Sequence, residues 1–176
     1  MSILKNLFGL TGPTTQPEES DGDTETVRRI VGELEALDAE TARYLAAFAY
    51  ILSRVANADL DVSVDETRAM ERIVHDLGHL PEDQAILVVQ IAKSQNKLLG
   101  GTENYLVTRE FKEIATPEQR RELLDCLFAV SAADGSISVA EEETIRRIAS
   151  ELGFGHKEYI EARQRYSEYR DVLKGM

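Results

Sequence analysis

The sequence predicts an almost wholly α-helical domain, and three observations carry that prediction. Apolar residues recur three and four positions apart, as in Tyr44, Leu45, Phe48, Ile51, Leu52 and Val55, the spacing that lines one face of a helix. No run of five or six residues alternates apolar with polar in the manner of a half-buried strand. Helix-start chemistry is explicit at Thr116-Pro117-Glu118-Gln119: a threonine cap, proline at the first helical position, and glutamine three residues after the cap.

The elements follow in order. Residues 1–23 read as a short amphipathic segment and a flexible acidic linker. Ile3, Leu4, Leu7 and Phe8 repeat at helical spacing, while Pro13 and Pro17 with Glu18, Glu19, Asp21 and Asp23 disfavour packed structure. The helical domain is expected over 24–174. Its first helix begins near Thr24 and carries Val27, Ile30, Val31, Leu34 and Leu37. Asp38 caps the second, whose alanines favour helix and permit close packing. A third ends before Leu77-Gly78, and Pro81 sits in the first turn of a fourth, with Ile86, Leu87, Val89 and Ile91. Gly100-Gly101 breaks the chain, and a helix from about Glu103 holds Tyr105, Leu106, Phe111 and Ile114. Three more are expected: one after Thr116, one from Val139 to Leu152, and one from His156 to Leu173.

Composition narrows the function. The chain has 176 residues and a formal charge of −12, from 32 acidic and 20 basic residues. Such a charge repels a nucleic acid duplex, so no nucleic-acid partner is expected, and a cationic partner or a divalent metal is easier to accommodate. The lone Cys126 excludes an internal disulfide and fits the reducing cytoplasm. No run of about 18 apolar residues forms a membrane span. Residues 3–10 have two readings: a helix packed on its own domain or frayed, and a peripheral contact at the inner membrane face. With only Cys126, His75, His79 and His156 available, a zinc cluster is excluded. Cys126 lies among apolar residues and reads as core. Gly78 ends the helix between His75 and His79, which argues against a zinc pair. The Arg28-Arg29, Arg120-Arg121 and Arg146-Arg147 pairs read as helix surface, suited to neighbouring acids or a protein partner.

The most informative pattern is an internal repeat with a shift of 75 residues. The stretch A58-D59-L60-D61-V62-S63-V64-D65-E66 falls on A133-D134-G135-S136-I137-S138-V139-A140-E141. Arg72-Ile73 then meets Arg147-Ile148, and Leu77-Gly78 meets Leu152-Gly153. Two copies of helix, turn and helix are expected, over about 44–93 and 117–171, related by a pseudo-twofold axis.

Two readings of the turns compete. In the first, Ser63 and Ser138 are helix caps, and Glu66 and Glu141 complete capping boxes three residues later. Val62 and Ile137 pin the turns to the core, and Gly135 takes a left-handed backbone. In the second, the acids bind metal. A single EF-hand loop fails: with Asp134 at position 5, Gly135 at 6 and Glu141 at 12, Val130 and Ala132 occupy the ligand positions 1 and 3, and Val55 and Asn57 do so in the other copy. A shared site is the alternative, in which Asp59, Glu66, Asp134 and Glu141 supply four carboxylates to calcium, magnesium or manganese.

The stretch S131-A132-A133-D134-G135-S136-I137-S138-V139-A140-E141-E142-E143-T144-I145 resembles the signature of the TerB-like family, which takes its name from a tellurite-resistance protein and includes the membrane-side domain of a J-domain co-chaperone. The likeness covers roughly residues 25–172, and the first copy departs from it with Leu60 where the glycine belongs. The resemblance implies an all-α bundle with two such motifs. It also implies divalent-metal binding by Asp59, Glu66, Asp134 and Glu141, and links to stress responses and membrane-associated complexes. No His-Pro-Asp signature is present, so co-chaperone activity is not implied. The leading expectation is a non-enzymatic helical binding or adaptor protein, metal-dependent and acting through a protein partner. The alternatives are a hydrolase using carboxylate-bound metal and a purely structural adaptor.

Overall fold

The structure, a computed structural model, describes residues 21–56, 63–94, 104–133 and 135–170. Among these, eight α-helices follow one another: α1 Asp21–Glu35, α2 Ala39–Ala56, α3 Val64–Asp76, α4 Glu82–Lys93, α5 Asn104–Ile114, α6 Pro117–Ala132, α7 Val139–Glu151 and α8 His156–Gln164. A 3₁₀ turn, Ser167–Tyr169, closes the described chain. The all-α expectation holds. Residues 1–20, with the amphipathic segment, and the Gly100-Gly101 break lie outside the described residues.

Helix α2 sits at the centre because it is apolar nearly all round. Leu45, Phe48, Ile51 and Leu52 are fully buried, and so are Ala42 and Ala49 on intervening faces. Asp38 starts this helix by accepting from the Thr41 N–H at 3.1 Å. It packs on α1, α4, α5, α6 and α7. Small alanine side chains bring neighbours close, and the larger ones fill the gaps: Tyr44, Phe48 and Phe111 of α5 form a ring cluster with centroids 5.3–6.2 Å apart. Burying one such ring contributes about 2 kcal/mol.

The second core helix is α6, which packs on α2, α3, α7 and α8. Its threonine-proline start forms as expected: Thr116 Oγ1 accepts from Gln119 N at 3.1 Å, and Gln119 Oε1 accepts from Thr116 N at 2.9 Å. The copies make reciprocal contacts. α2 packs on α7 and α6 packs on α3, besides packing on each other. Helices α3 and α7 are each 13 residues long and start 75 residues apart.

Several boundaries differ from expectation. α1 begins at Asp21 rather than Thr24. Pro81 occupies the cap position of α4, one residue before its first turn. The largest correction is at the end of the chain. The helix expected over 156–173 stops at Gln164. Two aromatic contacts redirect the chain there. Tyr166 stacks on Phe128 at 5.7 Å and 11° between planes, and Tyr169 packs against Tyr166 at 6.5 Å. The redirected segment pairs Ile137 with Arg170 in an isolated parallel bridge. No helix among the described residues is long and apolar enough to cross a membrane.

Candidate functional site

Each acid-bearing turn ends in a capping box. In the first, Ser63 has an extended backbone and its Oγ accepts from Glu66 N at 3.1 Å, while Glu66 Oε2 accepts from Ser63 N at 2.7 Å. In the second, Ser138 Oγ accepts from Glu141 N at 3.1 Å, and Glu141 Oε2 accepts from Ser138 N at 2.8 Å. Two donors at each helix start are thereby satisfied. Bonding to the Ser63 N–H, and then to its hydroxyl, holds the Glu66 carboxyl below its usual range.

The second turn is shaped further by Gly135 and Ile137. Gly135 has φ +95°, and a Cβ there would meet nothing within 4 Å. Its requirement for glycine is therefore one of backbone conformation rather than space. Ile137 is fully buried, and its N–H donates to the Tyr169 carbonyl at 2.6 Å. Ile137 thus pins the turn to the core, as its apolar character suggested.

Of the four predicted metal ligands, the structure places Glu66 and Glu141. Asp59 and Asp134 lie outside the described residues, as does Val62. Among the described residues no group of three or more His, Cys, Asp or Glu side chains is arranged to hold a metal ion. The donor chemistry of the two placed glutamates does suit an oxygen-seeking cation. The capping bonds occupy Oε2 in each, and an ionised carboxylate has about four acceptor sites over its two oxygens.

The remaining candidates are engaged elsewhere. His75 Nδ1 lies 2.8 Å from the Leu80 carbonyl, so that nitrogen carries the proton and donates. His79 Nδ1 contacts Glu122 Oε1 at 2.9 Å. α3 ends at Asp76, before His79, so the two histidines do not share a helix. Cys126 is fully buried, and burial, reinforced by the charges of Asp125 and Glu122, pushes its thiol far above the usual range. An open groove of about 740 Å³ runs between α3 and α4, lined by Asp65, Arg68, Glu71, Arg72, His75, Glu82 and Ile86.

Sequence reasoning missed the role of Glu142. Glu141-Glu142-Glu143 reads as favourable charge at a helix start. In the structure Glu142 is only 14% exposed and takes two arginines. Arg170 meets it with a two-pronged fork, Nε to Oε2 at 2.9 Å and Nη2 to Oε1. Arg163 Nη1 reaches Oε1 at 3.3 Å, with its guanidinium over the Tyr159 ring. No local pattern announces these partners, because Arg170 falls where a continuing helix was expected.

An all-α domain with two capping boxes of the same build, 75 residues apart, defines the class of protein. The TerB family model, described as tellurite resistance protein TerB, matches residues 44–164, more than half of the chain, and the chain belongs to that family. No curated protein and no solved structure gave a match.

Proposed function

We propose that this TerB-family chain is a non-enzymatic helical binding protein whose two turns take a divalent cation, calcium, magnesium or manganese, and thereby set its grip on a protein partner. Asp59, Glu66, Asp134 and Glu141 are the ligands in this reading. The observation that supports it is the pair of capping boxes 75 residues apart. Each ties a glutamate to the start of its helix by one oxygen only, at 2.7 and 2.8 Å. Oxygen ligands of this kind suit hard divalent cations. A bound cation would supply positive charge that offsets repulsion among the carboxylates. The non-enzymatic part rests on the burial of Cys126, whose thiol is the strongest nucleophile type in the chain. Action in the cytoplasm, in a stress response, with residues 3–10 touching the inner membrane face, completes the reading.

Calorimetric titration of chelator-stripped protein with calcium, magnesium, manganese and zinc tests it. The wild type should show saturable binding that an Asp59→Asn/Asp134→Asn variant loses. Absence of binding at millimolar metal leaves the turns as capped helix starts. An Asp134→Asn variant with unchanged cation and partner binding removes the link between the two.

A further inference from the structure

We propose that the groove between α3 and α4 binds a phosphate monoester, with Arg68 and Arg72 forking its oxygens and Ile86 meeting the body of the ligand. The site is built from described residues alone, and it stands apart from the cation reading above.

The groove encloses about 740 Å³, a size typical of small-molecule sites. Arg68, Arg72 and His75 line it from α3, and their spacing of four and three residues puts them on one face of that helix. Among the described residues neither arginine side chain makes an ion pair or a hydrogen bond, although Asp65, Glu71 and Glu82 line the same groove. The second copy closes the equivalent charges. Shifted by 75 residues, Arg68 and Glu71 become Glu143 and Arg146, and there the arginine bonds to the glutamate, Nε to Oε2 at 3.2 Å. Glutamate ahead of arginine is the favourable order along a helix. In α3 the order is reversed, and Arg68 stays open.

His75 adds a third contact. Its Nδ1 donates to the Leu80 carbonyl at 2.8 Å, which leaves Nε2 for the ligand. Neutral His75 offers an acceptor there, and protonated His75 a donor. A phosphate that carries one proton donates to the first, and the dianion accepts from the second.

The lining also limits the ligand. Three carboxylates outnumber the two guanidiniums, so a long polyanion laid along the groove meets repulsion. A compact group with about two negative charges near neutral pH matches the two arginines. Phosphate presents several acceptor oxygens, and guanidinium forks bind them two at a time. Partly buried Ile86 gives apolar surface to the part of the ligand beyond the phosphate.

The test titrates the full-length, chelator-stripped protein with phenyl phosphate at constant ionic strength, followed by NMR at the Arg68 and Arg72 Nε–H groups and the Ile86 methyl groups. These shifts should saturate together. Arg68→Gln and Arg72→Gln should each weaken binding about tenfold. Arg72→Lys, which keeps the charge but loses the fork, should weaken it as well. Both arginines are exposed, so the variants keep the fold. Arg147→Gln, at the place equivalent to Arg72 in the second copy, should bind as the wild type does. Shifts that rise in proportion to concentration without saturating overturn the site, as does an equal loss in Arg147→Gln. An Arg72→Lys variant that binds as tightly as wild type overturns the fork. Succinate that binds as tightly as phenyl phosphate overturns phosphate as the ligand class. None of these outcomes depends on whether a divalent cation binds the protein, so the two readings fail separately.

Discussion

Arg54 of α2 donates to Glu151 of α7 at 2.7 Å, with the two side chains only 9% and 17% exposed. The same Nη1 donates to Thr108 of α5 at 2.9 Å, and Thr108 is fully buried. One guanidinium thus ties three helices together next to the core. Removing one partner of a shielded pair leaves the other without compensation, which is the costly way to break it. Arg54→Met should destabilise the protein by about 3 kcal/mol, read as a lower midpoint in urea. Adding Glu151→Met should recover part of that loss. A single variant as stable as wild type would show that water already compensates Glu151.

The two serine caps are a second point of attack. Each serine satisfies a donor at the start of a 13-residue helix. Ser63→Ala and Ser138→Ala should each cost about 1 kcal/mol. The measured slope of unfolding against urea should stay constant, since neither change alters the surface exposed. Unequal losses, with Ser138→Ala the milder, would show that the Ile137–Tyr169 bond holds the second turn without its cap.

The reach of the sequence follows from the range of the interactions involved. The capping boxes span three residues, so Ser63, Glu66, Ser138 and Glu141 could be read directly, and their bonds form as expected. The burial of Leu45, Phe48 and Leu127 follows from helical spacing in the same way. Arg54 and Glu151 are 97 residues apart, and Arg170 and Glu142 are 28 apart across a turn. Nothing in a helix-period pattern encodes such pairs. Helical periodicity also carried the last helix past Gln164, because Tyr166 and Tyr169 fit a helix face equally well until Phe128 is there to stack against.

Glycines at two turns serve different needs, and substitution separates them. At Gly78 a Cβ would lie 2.5 Å from the Val74 carbonyl oxygen and 3.4 Å from the Phe48 ring. Main chain cannot yield there, so Gly78→Ala should cost about 3 kcal/mol by overpacking. At Gly135 there is open space but φ is +95°, so Gly135→Ala should cost about 1 kcal/mol through backbone strain. Asparagine tolerates left-handed backbone better than alanine. Gly135→Asn should therefore be milder than Gly135→Ala, and Gly78→Asn worse than Gly78→Ala, in thermal unfolding. The reverse ranking at position 135 would mean that space, not conformation, selects glycine there.

Two carboxyls should respond to pH with opposite sign. Bonding to Ser63 holds Glu66 below its unfolded value. Its stabilisation is present above that unfolded value, near 4.3, and is lost as pH falls through the folded one. Asp125 is the opposite case: burial raises its carboxyl, and the attraction of Arg165 and Arg121 only partly offsets this. For Asp125 the folded state is favoured while the group is protonated, below its unfolded value near 3.9. That advantage is lost as pH rises through the folded value, so at neutral pH the charged form works against folding. At pH 7 Glu66→Gln should lower the melting temperature and Asp125→Asn should raise it. The Asp125→Asn difference should shrink towards zero below the unfolded value of Asp125, and the Glu66→Gln difference only once pH has fallen through the lowered folded value of Glu66. If Asp125→Asn instead lowers the melting temperature at pH 7 and not at pH 3, its contact with Arg165 at 3.4 Å outweighs the cost of burial.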